Sequence, residues 1–258
     1  MYGICNLSVI PCRAEPSDRS EMVTQLLFGE HFKISEVQPK WIKIKIAYDG
    51  YECWIDKKQY LQIEEYTFDI LNSTESFYAN ELIQVISDTK SKTFFPIVIG
   101  SNLPNLDHQE IMIENTSFTY EGSFIQSSQK FEKDNLLETA LLFLNSPYLW
   151  GGRSPLGIDC SGFTQLVYKM NGIKLLRDAS QQAEQGELLS FVEEAVAGDL
   201  AFFDNEEGKI VHVGIVMDNN KIIHASGKVR IDGFDHHGIF NNELKMYTHQ
   251  LRILKRVV

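Results

Sequence analysis

Residues 147–163 decide the fold of the C-terminal half of this chain. They read Pro147-Tyr148-Leu149-Trp150-Gly151-Gly152-Arg153-Ser154-Pro155-Leu156-Gly157-Ile158-Asp159-Cys160-Ser161-Gly162-Phe163. The Gly- and Pro-containing first part predicts a loop. After Cys160 the apolar residues recur at helical spacing, up to Gly172, which marks the helix end: Phe163, Leu166, Val167 and Met170. The sequence therefore predicts a cysteine at a helix N-terminus, where free N–H groups and the helix dipole favour a thiolate.

Two histidines follow on predicted strands. His212 opens an apolar run 52 residues after Cys160, and His224 ends the next run. A three-residue loop over 218–220 would pair Gly214 with His224 and place both histidines on one face of the sheet, whereas a two-residue loop would separate them. The first register predicts a nucleophile, a base and an orienting residue in papain-like order. The alternatives are a small buried cysteine and a structural His212.

Five sequence blocks carry a resemblance to a known family. They are Tyr148 to Gly152, Asp159 to Phe163, Arg177 to Ser180, Gly198 to Phe203 and His212 to Ile215. In this order they resemble the signature blocks of the NlpC-type cysteine peptidases, papain-like enzymes that cut bacterial cell-wall stem peptides. The resemblance covers roughly residues 134–258. It implies that Cys160 is the nucleophile, His212 the base and His224 the third triad member.

The same resemblance implies further site residues. The Tyr148 hydroxyl would join the Cys160 backbone N–H in stabilising an oxyanion, the alternative being that Tyr148 packs beside Trp150. Asp178 would bind a free α-ammonium group, since a carboxylate suits that charge, although a helix N-cap is the competing role. The positions implied to contact substrate are Trp150, Asp159, Ser161, Asp178 and Ser180.

The N-terminal region has the pattern of a small β-barrel. Short alternating runs at 23–27, 32–37, 41–46 and 51–55 predict strands, and Asp49-Gly50 predicts a hairpin turn. The region resembles bacterial SH3-like domains, which implies that Glu15 and Tyr51 read the N-terminus of a substrate. The alternative for Glu15 is a solvated loop charge before Pro16.

The predicted organisation has three parts. Residues 1–65 form an SH3-like barrel, 66–125 a second, degenerate SH3-like β domain, and 126–258 the peptidase domain. In the last part we predict a helix from an Asp134 N-cap to Leu144, a helix at 179–185, and strands at 200–203, 211–217, 221–225 and 252–257. Helices followed by strands indicate the α+β class. The overall expectation is a papain-like domain preceded by one or two SH3-like barrels.

Composition and charge limit the partners and cofactors. A formal net charge of −11 argues against nucleic acid, and no apolar run reaches the length of a membrane span. The four cysteines form no Cys-x-x-Cys pair, which disfavours a redox or zinc site. We expect no metal and no cofactor. The remaining histidines are predicted to be solvated surface residues: His31, His108, His236, His237 and His249.

These observations lead to one expected function. The resemblance implies a γ-D-glutamyl-L-diamino acid endopeptidase that cuts murein stem peptides with a free N-terminal L-Ala before meso-diaminopimelate or L-Lys, in cell-wall recycling. The start of the chain does not resemble a signal peptide, so we expect a cytoplasmic protein if the chain is complete and a periplasmic or secreted one if a leader was removed. The alternatives are another papain-like amidase or acyltransferase and a non-catalytic wall-peptide binder. The oligomeric state is left open.

Overall fold

The computed structural model describes residues 1–128 and 132–257. The chain forms two compact units. One contains the residues up to 128 together with 150–155, and the other contains 132–149 and 156–257. Among the described residues, no helix is long and apolar enough to cross a membrane.

The first unit begins with a seven-stranded antiparallel sheet. Its strands are β1 (Tyr2–Ile4), β2 (Val9–Arg13), β3 (Met22–Leu27), β4 (His31–Val37), β5 (Trp41–Ile46), β6 (Glu52–Asp56) and β7 (Leu61–Ile63). They pair in the order β3-β2-β6-β5-β4-β1-β7. Alternating apolar residues of β2, β4 and β5 fill the core, including Ile10, Ile34 and Ile44. The four strands predicted between residues 23 and 55 are confirmed as β3 to β6.

A helix and six short strands follow this sheet in the first unit. They are α1 (Glu65–Ser73), β8 (Phe77–Ala79), β9 (Ile83–Asp88), β10 (Phe94–Val98), β11 (Glu110–Ile113), β12 (Thr116–Thr119) and β13 (Phe124–Gln126). Ile4 and Phe28 of the barrel share one apolar core with Ile86, Ile97 and Phe118. The two regions are thus one compact unit. Whether 66–125 is a second SH3-like domain, and the limits proposed for all three domains, stay predictions.

Two details of the first unit differ from expectation. The sequence analysis did not predict α1, which has no side-chain hydrogen bond at its N-cap and no fully buried residue. His31 is not a solvated surface residue. It is 8% exposed, its Nε2 lies 3.1 Å from Asn72 Oδ1, and its ring packs edge-on against Phe68. His31 is therefore buried because α1 packs against it.

The second unit is a small barrel with helices against it. Its elements are α2 (Lys133–Leu142), β15 (Gly157–Ile158), α3 (Cys160–Lys169), α4 (Ala179–Gln182), β16 (Glu187–Leu189), β17 (Leu200–Asp204), β18 (Ile210–Met217), β19 (Lys221–Ser226), β20 (Lys228–Asp235), β21 (Gly238–Asn241) and β22 (Met246–Arg256). The short strand β14 (Arg153–Ser154), which precedes β15 in the chain, belongs to the first unit. The sheet order is β16-β22-β17-β18-β19-β20-β21, and β21 also pairs with β22. That last pairing closes six strands into a barrel.

The predicted elements of this unit are largely present, with three corrections. The first helix begins at Lys133, and Glu132 rather than Asp134 is its N-cap. The helix predicted over 179–185 ends at Gln182. The last strand begins at Met246, well before the predicted start at 252. Its first residues are mostly exposed, so they lack the apolar alternation by which a strand is read from sequence.

Candidate active site

Cys160 is the first residue of α3, the central helix of the second unit. Asp159 is the N-cap, and its Oδ1 accepts a hydrogen bond from the Gly162 N–H at 2.6 Å. This is the favoured N-cap geometry, because the carboxylate satisfies one N–H that has no partner inside the helix. Every residue of α3 is buried, and the helix packs against β18 and β19. The cysteine is therefore held rigidly at the helix N-terminus, as predicted.

A buried arginine neutralises the N-cap. Arg177 Nη2 donates to Asp159 Oδ2 at 2.6 Å, and its Nη1 donates to Asp159 Oδ1 at 3.1 Å and to Ser161 Oγ at 2.9 Å. Arg177 and Asp159 are 1% and 7% exposed. Both residues that flank the nucleophile thus have intramolecular partners. Their proposed contact with substrate stays a prediction, whereas their part in fixing the start of α3 is visible.

The environment of the Cys160 thiol balances opposing effects. Burial raises its pKa to about 12, and the charge of Asp159 adds to the rise. The backbone N–H groups of Val213 and Ser161 and the charge of Arg177 act in the opposite direction. Because the Val213 N–H bonds to the sulfur, the nucleophile lies against the residue next to His212 on β18. The resting cysteine is a thiol that needs a nearby base.

The hairpin register brings the two histidines together. Met217 pairs with Lys221 and Gly214 with His224, which is the three-residue-loop register that the sequence analysis required. His212 Nε2 lies 2.9 Å from His224 Nδ1, and both rings are buried. A Cβ on Gly214 would lie 3.0 Å from His224 Cβ, so glycine leaves room for the His224 side chain. A bulge at Val211, between the pairs Phe203–His212 and Asp204–Ile210, bends β18 next to the base.

Asp232 extends the histidine pair into a chain of four groups. His224 Nε2 lies 3.2 Å from Asp232 Oδ2, and Arg230 Nε donates to the same oxygen at 2.6 Å. Burial alone would raise the pKa of Asp232, but hydrogen bonds from His224 and Arg230 lower it to about 2. Asp232 is therefore ionised at neutral pH. Asp232 and Arg230 were missed by the sequence analysis, although their alternation on the strand after His224 places them on one face.

The chain of hydrogen bonds assigns the histidine tautomers. Burial lowers the pKa of His224 despite Asp232, so His224 is neutral and donates its Nε2–H to that carboxylate. Its Nδ1 must then accept from His212 Nε2–H. Burial, and then the neighbouring His224 and His249, hold the pKa of His212 well below its ordinary value. The remaining lone pair, on His212 Nδ1, is free to take the thiol proton.

Tyr148 lies in the same unit as Cys160, whose charge affects the pKa of the Tyr148 side chain. Its backbone N–H donates to Gly227 O at 3.0 Å, and the side chain is half-buried. Burial, together with the charges of Cys160 and Asp159, raises its pKa to about 12. The hydroxyl therefore keeps its proton at physiological pH and can donate a hydrogen bond. These features suit the oxyanion role that the resemblance implies for it.

The other predicted contact residues have mixed surroundings. Asp178 is the N-cap of α4, and its backbone N–H donates to Gln181 Oε1 at 3.0 Å. Ser180 is exposed on the same helix. The N-cap alternative for Asp178 is thus present in the structure, and the ammonium-binding roles of Asp178 and Ser180 stay predictions.

Three predicted contact residues belong to the first unit. Glu15 is exposed on the turn that follows β2, and Tyr51 is half-buried at the edge of the barrel core. Trp150 is 60% exposed, and its Nε1 donates to Glu21 Oε1 at 2.6 Å. The chain thus offers an exposed acid and two accessible aromatic residues here, whose contact with substrate stays a prediction.

His249 on β22 is the second histidine for which the surface prediction is wrong. Its ring stacks on that of His212, with ring centres 4.2 Å apart and planes 26° apart. His212, His224 and His249 each offer a ring nitrogen, and these three atoms lie within 4.8 Å of one another. They are the residues that could hold a metal ion among those described. No sequence signal reveals this neighbour, because the barrel closure that brings β22 to the site is a long-range feature.

Comparison with known proteins gives two matching families. The NlpC/P60 family profile matches residues 145–249, and that of the bacterial dipeptidyl-peptidase Sh3 domain matches residues 12–59. The gamma-D-glutamyl-L-lysine dipeptidyl-peptidase of Bacillus subtilis (strain 168) is 30% identical, over 78% of this chain and 71% of the relative. Dipeptidyl-peptidase 6 of Lysinibacillus sphaericus is 28% identical, over 90% of this chain and 91% of the relative.

A solved structure shares the fold. An NlpC/P60 family protein from Bacillus cereus ATCC 10987 superposes with a TM-score of 0.85 over 100% of this chain and 99% of that one, at 19% identity. The α+β class and the N-terminal SH3-like domain are confirmed. The chain belongs to the NlpC/P60 family and is a cysteine peptidase with an N-terminal bacterial SH3-like domain.

Proposed function

We propose that this peptidase hydrolyses the bond between γ-D-Glu and the diamino acid, meso-diaminopimelate or L-Lys, in murein stem peptides with a free N-terminal L-Ala. The observation that carries the chemistry is the buried chain of His212, His224 and Asp232 beside the cysteine at the start of α3. The substrate rests on the relatives, one of which is named a gamma-D-glutamyl-L-lysine dipeptidyl-peptidase. A free-peptide substrate would fit wall recycling.

The first half of the reaction follows from the assigned tautomers. The Cys160 sulfur attacks the γ-carbonyl carbon of D-Glu while His212 Nδ1 takes the thiol proton. The carbonyl oxygen becomes an oxyanion, which the Cys160 backbone N–H and the Tyr148 hydroxyl stabilise. The imidazolium formed on His212 is stabilised by His224, whose second nitrogen donates to Asp232.

The second half returns the enzyme to its starting state. The C–N bond breaks as His212 gives its proton to the amine of the diamino acid, which leaves a thioester on Cys160. A water molecule, deprotonated by His212, attacks the thioester. The acid product leaves, and the proton returns to the thiol. A peptide with a free amine would release L-Ala-γ-D-Glu as the dipeptide.

The test is mass spectrometry of defined peptides incubated with the protein. L-Ala-γ-D-Glu-meso-diaminopimelate and its L-Lys analogue should release L-Ala-γ-D-Glu, and Cys160→Ala should abolish release. The N-acetylated peptides should be cut much more slowly. Cleavage of neither peptide would contradict the proposal and favour the acyltransferase alternative, while equal cleavage of acetylated and free forms would contradict the free-amine preference alone.

Matched variants separate the amine-binding roles from general damage. Glu15→Gln and Tyr51→Phe should raise KM for the free-amine peptide and leave the acetylated peptide unaffected. Asp18→Asn is the control, since Asp18 is an exposed acid of the same turn as Glu15. Equal effects of Glu15→Gln and Asp18→Asn would remove Glu15 from the site.

A further inference from the structure

His249 contacts both catalytic histidines with its ring. It lies face-on to His212 at 4.2 Å and edge-on to His224, with ring centres 5.6 Å apart and planes 81° apart. Phe203 lies 5.7 Å from His212 and 5.9 Å from His249. Stacked and edge-on aromatic contacts stabilise one relative orientation of the rings. The plane of the base is therefore restrained by rings as well as by its hydrogen bond to His224.

The backbone around His249 is shaped to deliver this ring. Thr248 is an extra residue between the pairs Ile239–His249 and Phe240–Tyr247, and Arg252 is an extra residue between Phe202–Ile253 and Phe203–Leu251. His249 thus lies in a short segment bounded by two bulges, which bend a strand and redirect its side chains. The strand that carries His212 also has a bulge, at Val211, so both stacked rings lie next to bulges.

Gly238 allows β21 to approach this segment closely. A Cβ at Gly238 would lie 1.9 Å from the His249 carbonyl oxygen, and the residue has φ +131°. Any other residue would push β22 away at the position of His249. The His249 ring is further oriented by the Thr248 hydroxyl, which lies 2.9 Å from its Nδ1. Backbone and side chain together fix the ring against His212.

The His249 ring is neutral at pH 7. Burial, and then the neighbouring His224, lower its pKa to about 4, although Asp232 acts in the opposite direction. The other titratable or charged groups around the stacked pair include Cys160 on α3, His224 on β19, and Arg230 and Asp232 on β20. His236 and His237, in the turn between β20 and β21, and Tyr247 on β22 line one cavity with His249. Above pH 5 the group that covers His212 is thus a flat, uncharged ring.

We propose that His249 is a positioning residue, whose stacked ring fixes the plane of the His212 imidazole and excludes water from it. The inference rests on the proposed function, in which His212 is the base. A catalytic metal held by the three histidines is the competing idea. The near-parallel planes of His212 and His249 disfavour it, because a metal ion must lie in the plane of each ring that binds it.

The test compares His249→Ala with His249→Phe, and uses His108→Ala, an exposed histidine of the first unit, as the control. His249→Phe keeps a stacking ring and should retain kcat within about 3-fold, while His249→Ala should lower kcat about 10-fold with little change in KM. In His249→Ala, water reaches His212 and raises its pKa. The acid limb of the kcat/KM profile should therefore move to higher pH, and His108→Ala should leave it unchanged.

Each other outcome overturns the inference. An unmoved acid limb in His249→Ala, with activity falling only as stability falls, would make His249 a packing residue. Equal damage from Phe and Ala would show that the imidazole nitrogens, and not the ring plane, matter. A change of wild-type kcat on addition of a chelator would favour the metal. His212→Ala tests the proposed function separately, since retained cleavage there would contradict His212 as the base.

Discussion

Among the described residues, two buried arginine–carboxylate pairs have similar geometry and different surroundings. In the first unit, Arg153 Nη1 and Nη2 donate to Glu30 at 2.8 and 3.0 Å, and both side chains are 1% exposed. In the second unit, Arg177 makes the equivalent paired contacts with Asp159, at 3.1 and 2.6 Å. Each carboxylate also accepts from a backbone N–H, of Leu27 and Gly162 respectively.

The difference lies in what stands next to each pair. Arg153 also donates to the Gln25 carbonyl at 2.7 Å, so its pair fastens the 150–155 segment to β3. Arg177 and Asp159 act with opposite sign on the pKa of the Cys160 thiol. The ion pair of the first unit thus holds two segments together, whereas that of the second unit also shifts the pKa of Cys160. The role of a buried ion pair in this protein therefore depends on the groups next to it.

Loss of Arg177 should have the largest effect. Arg177→Met removes the arginine partner of the buried Asp159 carboxylate, which should cost about 3–5 kcal/mol in the free energy of unfolding. It should also raise the pKa of Cys160, because Arg177 lowers it in the native protein. We expect kcat/KM and the rate of Cys160 alkylation by iodoacetamide to fall about 100-fold at pH 7.5. Each unit by which the Cys160 pKa rises lowers the fraction of thiolate about ten-fold.

Asp159→Asn provides the control of opposite sign. An asparagine can still cap α3, and removal of the carboxylate charge should lower the Cys160 pKa and speed alkylation. If both variants slow alkylation equally, the pair does not act on the thiol through its charges, and the contrast with the Arg153 pair fails.

Loss of Arg153 should affect stability alone. Arg153→Met removes the arginine partner of the buried Glu30 carboxylate, so the free energy of unfolding should again fall by about 3–5 kcal/mol. Alkylation of Cys160 in the folded protein should stay within about 2-fold of wild type, since the charged groups that shift the thiol pKa are Asp159 and Arg177. Urea unfolding and alkylation kinetics on the same samples measure both. A 100-fold slower alkylation would make the two pairs equivalent.

A third arginine–carboxylate pair, Arg230 and Asp232, should have an intermediate effect on activity. Arg230 and Asp232 are 15% and 1% exposed, and Asp232 contacts His224, the hydrogen-bond partner of His212. Asp232→Asn removes the charge that holds the His224 tautomer and should lower kcat about 10-fold, less than loss of a direct triad partner. Steady-state kinetics with Asp235→Asn as control tests this. An unchanged kcat would show that Asp232 does not contribute to catalysis through His224.

We expect the smallest effect in the pH dependence of the free energy of unfolding, which depends on the histidines rather than on the arginine pairs. His249 has a folded-state pKa of about 4, below its ordinary value of 6.5. The unfolded chain therefore binds a proton at a higher pH than the native protein does, so stability is complete above pH 6.5 and is lost as pH falls through 4. Urea unfolding at pH 7 and pH 5 should show this loss, and His249→Phe should reduce it. A flat profile would indicate that the histidine cluster is solvated.

Local patterns were sufficient to predict much of this molecule. The spacing after Cys160 predicted α3, and the 218–220 loop predicted the register that joins His212 to His224. The features that were missed depend on long-range contacts. Barrel closure and two bulges bring His249 to the site, and Arg177 reaches Asp159 from 18 residues away. Neither closure nor a buried ion pair leaves a periodic signal in sequence.

The most direct test of the account uses an electrophilic substrate analogue, L-Ala-γ-D-Glu with a chloromethyl ketone at the γ-carbonyl. Peptide mapping should find one adduct, on Cys160. The other three cysteines should stay unlabelled, because all are buried outside the proposed site. His212→Ala should slow labelling about 100-fold or more, and N-acetylation of the probe should also slow it. Labelling of Cys5, Cys12 or Cys53 instead, or equal labelling in His212→Ala, would contradict the assignment of Cys160 and His212.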